Sequence, residues 1–537
     1  MRRSVFPSAV VVLAILVFVA WMHPAVLWPT NVGWLVSGED RGQSALGLAA
    51  YLRSGGWGLH QPLLSAPEGL PLLFTDSIPL LGVLLRPFAS LLPPDAQFVG
   101  IWYLLCVLLQ ATFAALLIRP RVADPLAAWL GVALLTAMPV LFNRYGHPSL
   151  CAQWLILASL WLFLEPRRAE RAIGWAVLLA VAALVHSYLL LMVAAFWGSA
   201  LVAQLARDKR NFRTAGQALL TLLPTVGLLA LNGVFDGPYR STHSYGQFPA
   251  ALDAWWNPGN PGYTALPISS PAMPEGRGFE GFNYLGAGLI ALVLFAAARF
   301  VSGQADDSQR VLLRRMAWLL PAFGVLLLLA IGPAPMWRGL PLFALNLPSM
   351  LVDALDPIRA SGRLVWPLTY TLAFVAIIGS ATLARASLVL AGALALQVID
   401  VAPMLSAVRA TSARATEPRA FMRTADPRWQ ALIARAADVQ FEPAEPFRDL
   451  QLLQEVSWRA IVHCRPVRYT YSSRVSRATQ ARLDADAAAF RAGRLEPTRL
   501  YVLLSDGPVP AAVAARVQTI DGIRLIAPSR PAPLTCP

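Results

Sequence analysis

Charge is scarce in this chain. Of its 537 residues only 14% are Asp, Glu, Lys or Arg and 56% are apolar, whereas soluble globular domains carry about 25% charged residues. That deficit excludes an ordinary soluble fold and implies an α-helical polytopic membrane protein. Lysine is nearly absent, Lys209 being the only one, so the formal net charge of +14 rests on arginine. In a soluble protein such basicity would point to nucleic acid. Here the arginines flank apolar segments, where they act as topology signals, and no nucleic-acid partner is expected. Cysteine is limited to Cys106 and Cys151 in apolar runs and Cys464 and Cys536 near the C-terminus, with no metal-ligand spacing. No repeat relates the two halves of the chain, and no membrane-length apolar run follows Val401.

Apolar segments lie near 8–28, 98–118, 125–142, 150–164, 172–185, 187–206, 214–233, 283–302, 315–333, 363–381 and 385–403, each read as a span of about twenty residues. The first follows Arg2 and Arg3 and lacks a small-residue cleavage site, so it reads as a retained signal anchor. The stretch from Ile173 to Ala206 is too long for one crossing and splits at His186-Ser187 into a helical hairpin. That makes about eleven spans. Arg119 and Arg121; Arg167, Arg168 and Arg171; Arg207, Lys209, Arg210 and Arg213; and Arg310, Arg314 and Arg315 fall in one set of short connections with Arg2 and Arg3. By the excess of positive residues inside, this side and the N-terminus are cytoplasmic. An odd span count then places the C-terminus outside.

The transmembrane domain is read as 1–403, with large outside loops at 29–97, 234–282 and 334–362. These loops are rich in Trp, Pro and Gly, as in "LDAWWNPGNPGYTALP". Long loops of this kind are more often functional than connective. "SALGLAAYLRSGGW" has helical spacing and is expected to lie along the bilayer surface. Residues 404–537 read as a small extracytoplasmic α/β domain, with strands in "TRLYVLLSD" and "GIRLIAP" and a helix in "SRATQARLDADAAAFRAG". Cys464 and Cys536 both belong to it, and an oxidising compartment would permit them a disulfide.

Polar residues capable of chemistry collect on the outer side. Glu39 and Asp40 stand in "VGWLVSGEDRGQSALG", Asp76 in "LLFTDSIPLLGVLLRP", and Arg144 and His147 in "FNRYGHPSLCAQW". His186 ends the fifth segment, Glu280 sits in "GFEGFNYLG", and Arg359 and Arg363 sit in "LDPIRASGRLVWPL". Charges near membrane level are costly, so their convergence suggests a polar cavity. Each also has a plainer reading. Asp40 would cap a helix starting near Arg41, Asp76 would cap one before Pro79, and His186 would only make a tight turn polar. The two arginines share one helical face at four-residue spacing and would serve as phosphate ligands or as lipid anchors.

The order of "SGEDRGQ", "TDSIPLLGVLLRP", "GHPSLCAQWLIL", "FEGFNYLG" and "RASGRLVWP" resembles the GT-C glycosyltransferases, membrane enzymes that take sugar from a polyprenyl-phosphate carrier. More narrowly, it is similar to a bacterial domain-of-unknown-function family assigned to that fold, over roughly residues 30–400. The resemblance implies a multi-pass protein of the bacterial inner membrane, a polyprenyl-phosphate-sugar donor and an extracytoplasmic acceptor. It places the catalytic carboxylate at Asp40, with Glu39 as the substitute, and donor-phosphate ligands at Arg359 and Arg363. Asp76, Arg144, His147, His186 and Glu280 would complete the substrate site. Some members of that superfamily bind a divalent metal through several acids. Here Asp40, Asp76 and Glu280 would have to converge, so no cofactor is assigned and metal dependence stays open. Two rivals stand beside this reading. One is a lipid or lipid-linked-sugar flippase, which the missing internal repeat disfavours; the other is a GT-C scaffold that has lost its chemistry.

Overall fold

In the computed structural model, described over residues 5–54, 58–207, 211–237, 242–267, 276–304, 306–417, 419–504 and 509–533, the chain is mostly helical and ends in a small mixed sheet. Seven helices are long and apolar enough to cross a membrane: Val99–Ile118, Pro125–Gly146, Ser187–Leu205, Phe212–Leu231, Asp307–Ile331, Ser361–Ser380 and Ala386–Thr416. Five shorter apolar helices, of 10–17 residues, accompany them: Pro7–Trp21, Pro79–Leu91, Pro148–Leu164, Ala172–Ala183 and Ala287–Val301. Every apolar window read from the sequence holds a helix, but not every one is of membrane length, so eleven crossings do not follow from the helices themselves. The shortening has local causes. The first helix stops at Trp21 because Pro24 opens a 3-10 turn whose Ala25 N–H donates to His23 Nδ1 at 3.2 Å. The apolar stretch around residue 186 breaks as expected: one helix ends at Ala183, and His186 caps the next by accepting the Tyr188 N–H on Nδ1 at 3.1 Å.

The arginine-bearing turns meet at one end of the bundle. Arg121 lies within electrostatic reach of Arg168, and Arg315 within reach of Arg207, while Arg315 donates to the Phe163 carbonyl at 2.8 Å. At the opposite end the long connections fold over the helices. Asn283 joins two of them, its Nδ2 donating to the Gly281 and Gly362 carbonyls at 3.0 Å each. Gly362 permits this approach, since a Cβ there would stand 2.8 Å from Gly281 Cα and 2.9 Å from Ala250 N. Buried Asp400 fixes the start of helix Ala287–Val301 by accepting from the Tyr284 hydroxyl at 2.7 Å and the Ala287 N–H at 2.8 Å.

The last long helix runs unbroken from Ala386 to Ala413 through Pro403, so the boundary read at 403 falls inside a helix. Beyond it lies a four-stranded sheet. Strands Asp438–Glu442 and Arg499–Leu503 pair in parallel; Ile523–Ile526 pairs antiparallel with Arg499–Leu503 on one side and Gln518–Ile520 on the other. Helices Leu450–Val462 and Arg477–Arg491 flank it. The strands in "RLYVL" and "IRLI" and the helix after Ser476 are where the sequence placed them. Cys464 is disulfide-bonded; Cys536, the other half of the expected pair, lies outside the described residues. Cys106 and Cys151 are buried free thiols.

One expectation is reversed. The helix after Glu39, Asp40–Arg53, does not lie on a surface: Arg41 through Tyr51 are all buried. It is clasped between the 3-10 turn Leu72–Thr75 and the C-terminal domain's helix Leu450–Val462. Two glycines allow this. A Cβ on Gly47 would collide with Thr75 Oγ1 and Ser77 Oγ, and one on Gly42 would stand 2.6 Å from the Gln454 side chain. Gln454 then locks the helix entry, accepting the Gly38 N–H at 2.9 Å and donating to the Glu39 carbonyl at 2.7 Å.

Candidate functional site

The clasped helix begins at Asp40 and points that residue into a cavity of about 600 Å³. Asp76, His147, His186, Glu280, Arg359 and Arg363 line the same cavity. Seven residues singled out in the sequence therefore share one space, although they come from six separate segments.

The two members of the acidic pair have different surroundings. Glu39 is not on the cavity wall. Its carboxylate takes an ion pair from Arg41 Nη1 at 3.0 Å, and buried Arg41 also donates to the Trp34 carbonyl at 2.8 Å. Glu39 is thus a structural counterion. Asp40 is the first residue of the helix, and the cap position falls on Glu39, which makes no side-chain cap. The cap role considered for Asp40 is therefore not the one it plays. Among the described residues the Asp40 carboxylate accepts no hydrogen bond, and its ion-pair neighbour is His147 Nε2 at 3.5 Å.

Asp76 is not the N-cap of the helix that begins at Pro79; Ile78 holds that position. Asp76 closes the turn Leu72–Thr75 in a left-handed conformation, φ 52°, uncommon for a residue with a side chain. Its carboxylate has no hydrogen-bond partner among the described residues. Burial pushes its pKa above the usual 3.8, and the Asp40 charge adds to this against the opposing effect of His147 and the arginines. A carboxyl raised in this way favours the folded state while protonated. The penalty is absent below about pH 3.8 and grows as pH rises through the folded-state value. Asp76→Asn is accordingly expected to raise the melting temperature at neutral pH by a few degrees, with the gain shrinking toward acid; thermal melts from pH 4 to 8 test it.

Glu280 anchors the site's cations. Its Oε2 accepts from Arg363 Nε at 2.8 Å and Nη2 at 2.5 Å, and from Arg144 Nη1 at 3.0 Å. Its Oε1 is 3.3 Å from His147 Nε2. Burial alone would raise the Glu280 pKa, but Arg363, His147 and Arg144 outweigh it and hold the carboxyl well below its usual range. Arg144 is fully buried behind the wall with its guanidinium 4.2 Å from the centre of the Phe279 ring. It supports Glu280 and does not face the cavity.

Arg359 and Arg363 do not share a helical face. Arg359 follows the 3-10 turn Asp356–Ile358, and Arg363 sits in a separate one, Ser361–Val365. They also differ in function: Arg363 is committed to Glu280, whereas the Arg359 guanidinium makes no hydrogen bond or ion pair among the described residues. His147 Nε2 is buried, near two carboxylates, and within hydrogen-bond geometry of neither. Since His186 Nδ1 accepts a backbone N–H, its neutral ring carries the proton on Nε2. Among the described residues no group of three or more His, Cys, Asp and Glu side chains is arranged to hold a metal. The set considered for a divalent ion falls short because Glu280 is already engaged by two arginines.

Several lining residues were not singled out in the sequence. Asp356, buried, accepts from the Ser244 N–H at 2.9 Å, the Thr242 hydroxyl at 3.0 Å and Arg474 Nη1 at 2.9 Å. Arg474 belongs to the C-terminal domain, as do Phe447, Tyr471 and Ser473 on the same wall. Asp356 was within reach of sequence reasoning, three residues before Arg359; the C-terminal residues carried no signal.

Residues 11–402 match the model of a family described as Domain of unknown function (DUF6311), and residues 428–528 match the DUF6311 C-terminal domain. The chain belongs to the DUF6311 family. No curated protein matches it. In this DUF6311 chain the cavity is built by both matched regions, Asp40 to Arg363 from the first and Phe447 to Arg474 from the second.

Proposed function

We propose that the protein is a GT-C-type membrane glycosyltransferase that moves a sugar from a polyprenyl-phosphate carrier to an acceptor outside the cytoplasm. The observation that carries this reading is one cavity that holds two carboxylates, Asp40 and Asp76, accepting no hydrogen bond among the described residues, together with a guanidinium, Arg359, that is unpaired among them. A membrane setting is supported by apolar side chains exposed along helices, such as Leu16 and Leu220, which lipid would cover. Leu340, Leu342, Phe343, Leu345 and Met350 are exposed on the segment that leads into the cavity residues Asp353, Asp356 and Arg359. This apolar lip suits the lipid chain of a carrier whose phosphate reaches Arg359. The arginine-rich end of the bundle is then cytoplasmic and the C-terminal domain extracytoplasmic.

In this reading Asp40 accepts the proton of an acceptor hydroxyl as its oxygen attacks the anomeric carbon. The new C–O bond forms as the bond from that carbon to the phosphate oxygen breaks. The electron pair leaves on the polyprenyl phosphate, where Arg359 meets the developing charge. Inversion at the anomeric carbon follows from single displacement.

The test is mass spectrometry of envelope glycans and lipid-linked sugars from cells with and without the gene. The expected result is loss of one sugar from one glycan and accumulation of one polyprenyl-phosphate sugar. Unchanged glycans would overturn the reading, and an intact lipid redistributed between leaflets would replace it with a flippase. In the purified protein, Arg359→Ala is expected to weaken donor binding about tenfold or more, the scale of a lost charged hydrogen bond. Its melting temperature should stay near wild type, because the Arg359 guanidinium makes no hydrogen bond or ion pair among the described residues. Undiminished donor affinity would remove Arg359 from the phosphate site.

A further inference from the structure

A second, smaller groove of about 160 Å³ lies where the first long loop meets the C-terminal domain, and it shares two wall residues, Phe74 and Arg474, with the larger cavity. Phe74 is held in place from the domain side, its carbonyl accepting the Ser473 N–H at 2.8 Å. Arg474 is held by Asp356. These two residues form a partition between the groove and the space containing Asp40 and Asp76.

Of the hydroxyl-bearing residues lining the groove, Ser472, Ser476 and Thr479 are hydrogen-bonded within the domain, whereas Ser65, Tyr469 and Thr470 are not. Ser65 and Thr470 are 5% and 3% exposed, yet neither hydroxyl, nor that of Tyr469, makes a hydrogen bond among the described residues. These hydroxyls are left open to the groove, where a ligand's own hydroxyls can meet them as donors or acceptors. The rest of the lining selects against an anion. Glu68 is present but fixed by Arg482 Nε at 2.7 Å, Asp236 adds a second carboxylate, and the guanidinium of Arg474 is engaged by Asp356. Phe74 and Tyr469 add aromatic side chains to the lining, a residue type that packs against the C–H side of a sugar ring.

We propose that this groove is the acceptor subsite and takes a neutral, polyhydroxylated sugar ring, whose reacting hydroxyl passes the Phe74–Arg474 partition toward Asp40. The assignment rests on the transferase reading above. It gives the C-terminal domain a role, since Tyr469 and Thr470 come from that domain and Ser65 from the loop facing it.

Full-length protein, purified in detergent and fluorescently labelled, is applied to an array of neutral and anionic glycans. Wild type should retain one class of neutral glycan, and Tyr469→Phe with Thr470→Val should weaken that binding about tenfold. Both substitutions keep shape and remove only hydroxyls, and matched thermal melts confirm that the fold is intact. No glycan bound by wild type, binding confined to anionic glycans, or binding unchanged in the double variant would each overturn the subsite. If the glycan binds as expected but no sugar transfer is detected, the transferase reading fails and the groove stands as a glycan-binding site alone.

Discussion

Glu280→Ala is expected to destabilise the protein by about 3–5 kcal/mol, the cost of leaving buried charge without its partner. Glu280 is the one carboxylate engaged by both Arg144 and Arg363, whose side chains are 0% and 8% exposed. Arg144 is sealed from water when the carboxylate is removed, and Arg363 reaches only the cavity. Glu280→Gln keeps the volume and an acceptor oxygen but loses the charge, so it should fall between alanine and wild type. The pH dependence has a definite sign. A carboxyl held below its usual value stabilises the fold above the unfolded value near 4.5, and that contribution is lost as pH falls through the folded value. The gap between wild type and Glu280→Gln should therefore be full at pH 7 and close in strong acid. Thermal unfolding of the detergent-solubilised variants measures it. A glutamine variant as stable as wild type at neutral pH would show that the ion network contributes nothing.

The same network explains what the sequence could and could not disclose. Asp40, Asp76, His147, Glu280 and Arg359 stand at the ends of apolar segments, so helix periodicity and topology alone brought them to one side. Their individual roles depended on distances that spacing does not contain. Arg363 and Arg359 look equivalent four residues apart, yet one is neutralised by a glutamate from a distant loop and the other is not. Glu39 and Asp40 are adjacent, but the chain turns between them, sending one to Arg41 and the other to the cavity. The C-terminal wall was illegible for a different reason. Tyr471 and Arg474 lie in an irregular stretch without periodicity, and they reach the cavity only because helix Leu450–Val462 docks on the glycine-bearing helix Asp40–Arg53. The amphipathic reading of that helix failed on the same point: its outer face is covered by a domain more than 400 residues away in sequence.

On the proposed transferase reading, Asp40→Asn should lower sugar transfer by about 10²–10⁴-fold, the range contributed by a positioned general base, while leaving the fold intact. The carboxylate accepts no hydrogen bond among the described residues and is partly exposed, so asparagine removes its basicity and little else. Glu39→Gln is the informative contrast. It breaks the ion pair to buried Arg41 and should cost on the order of 1 kcal/mol of stability, because Arg41 keeps its other acceptors; transfer should persist at the temperature where the variant is folded. The two adjacent substitutions thus separate chemistry from structure: one loses rate without stability, the other stability without rate. Asp76 supplies the remaining control, since it faces the same cavity with the other unbonded carboxylate. If transfer survives in Asp40→Asn and disappears in Asp76→Asn, the base belongs to Asp76, whose elevated pKa would then appear as a rise of rate with pH. Should transfer survive both substitutions, neither carboxylate is the base, and proton removal must be sought at His147.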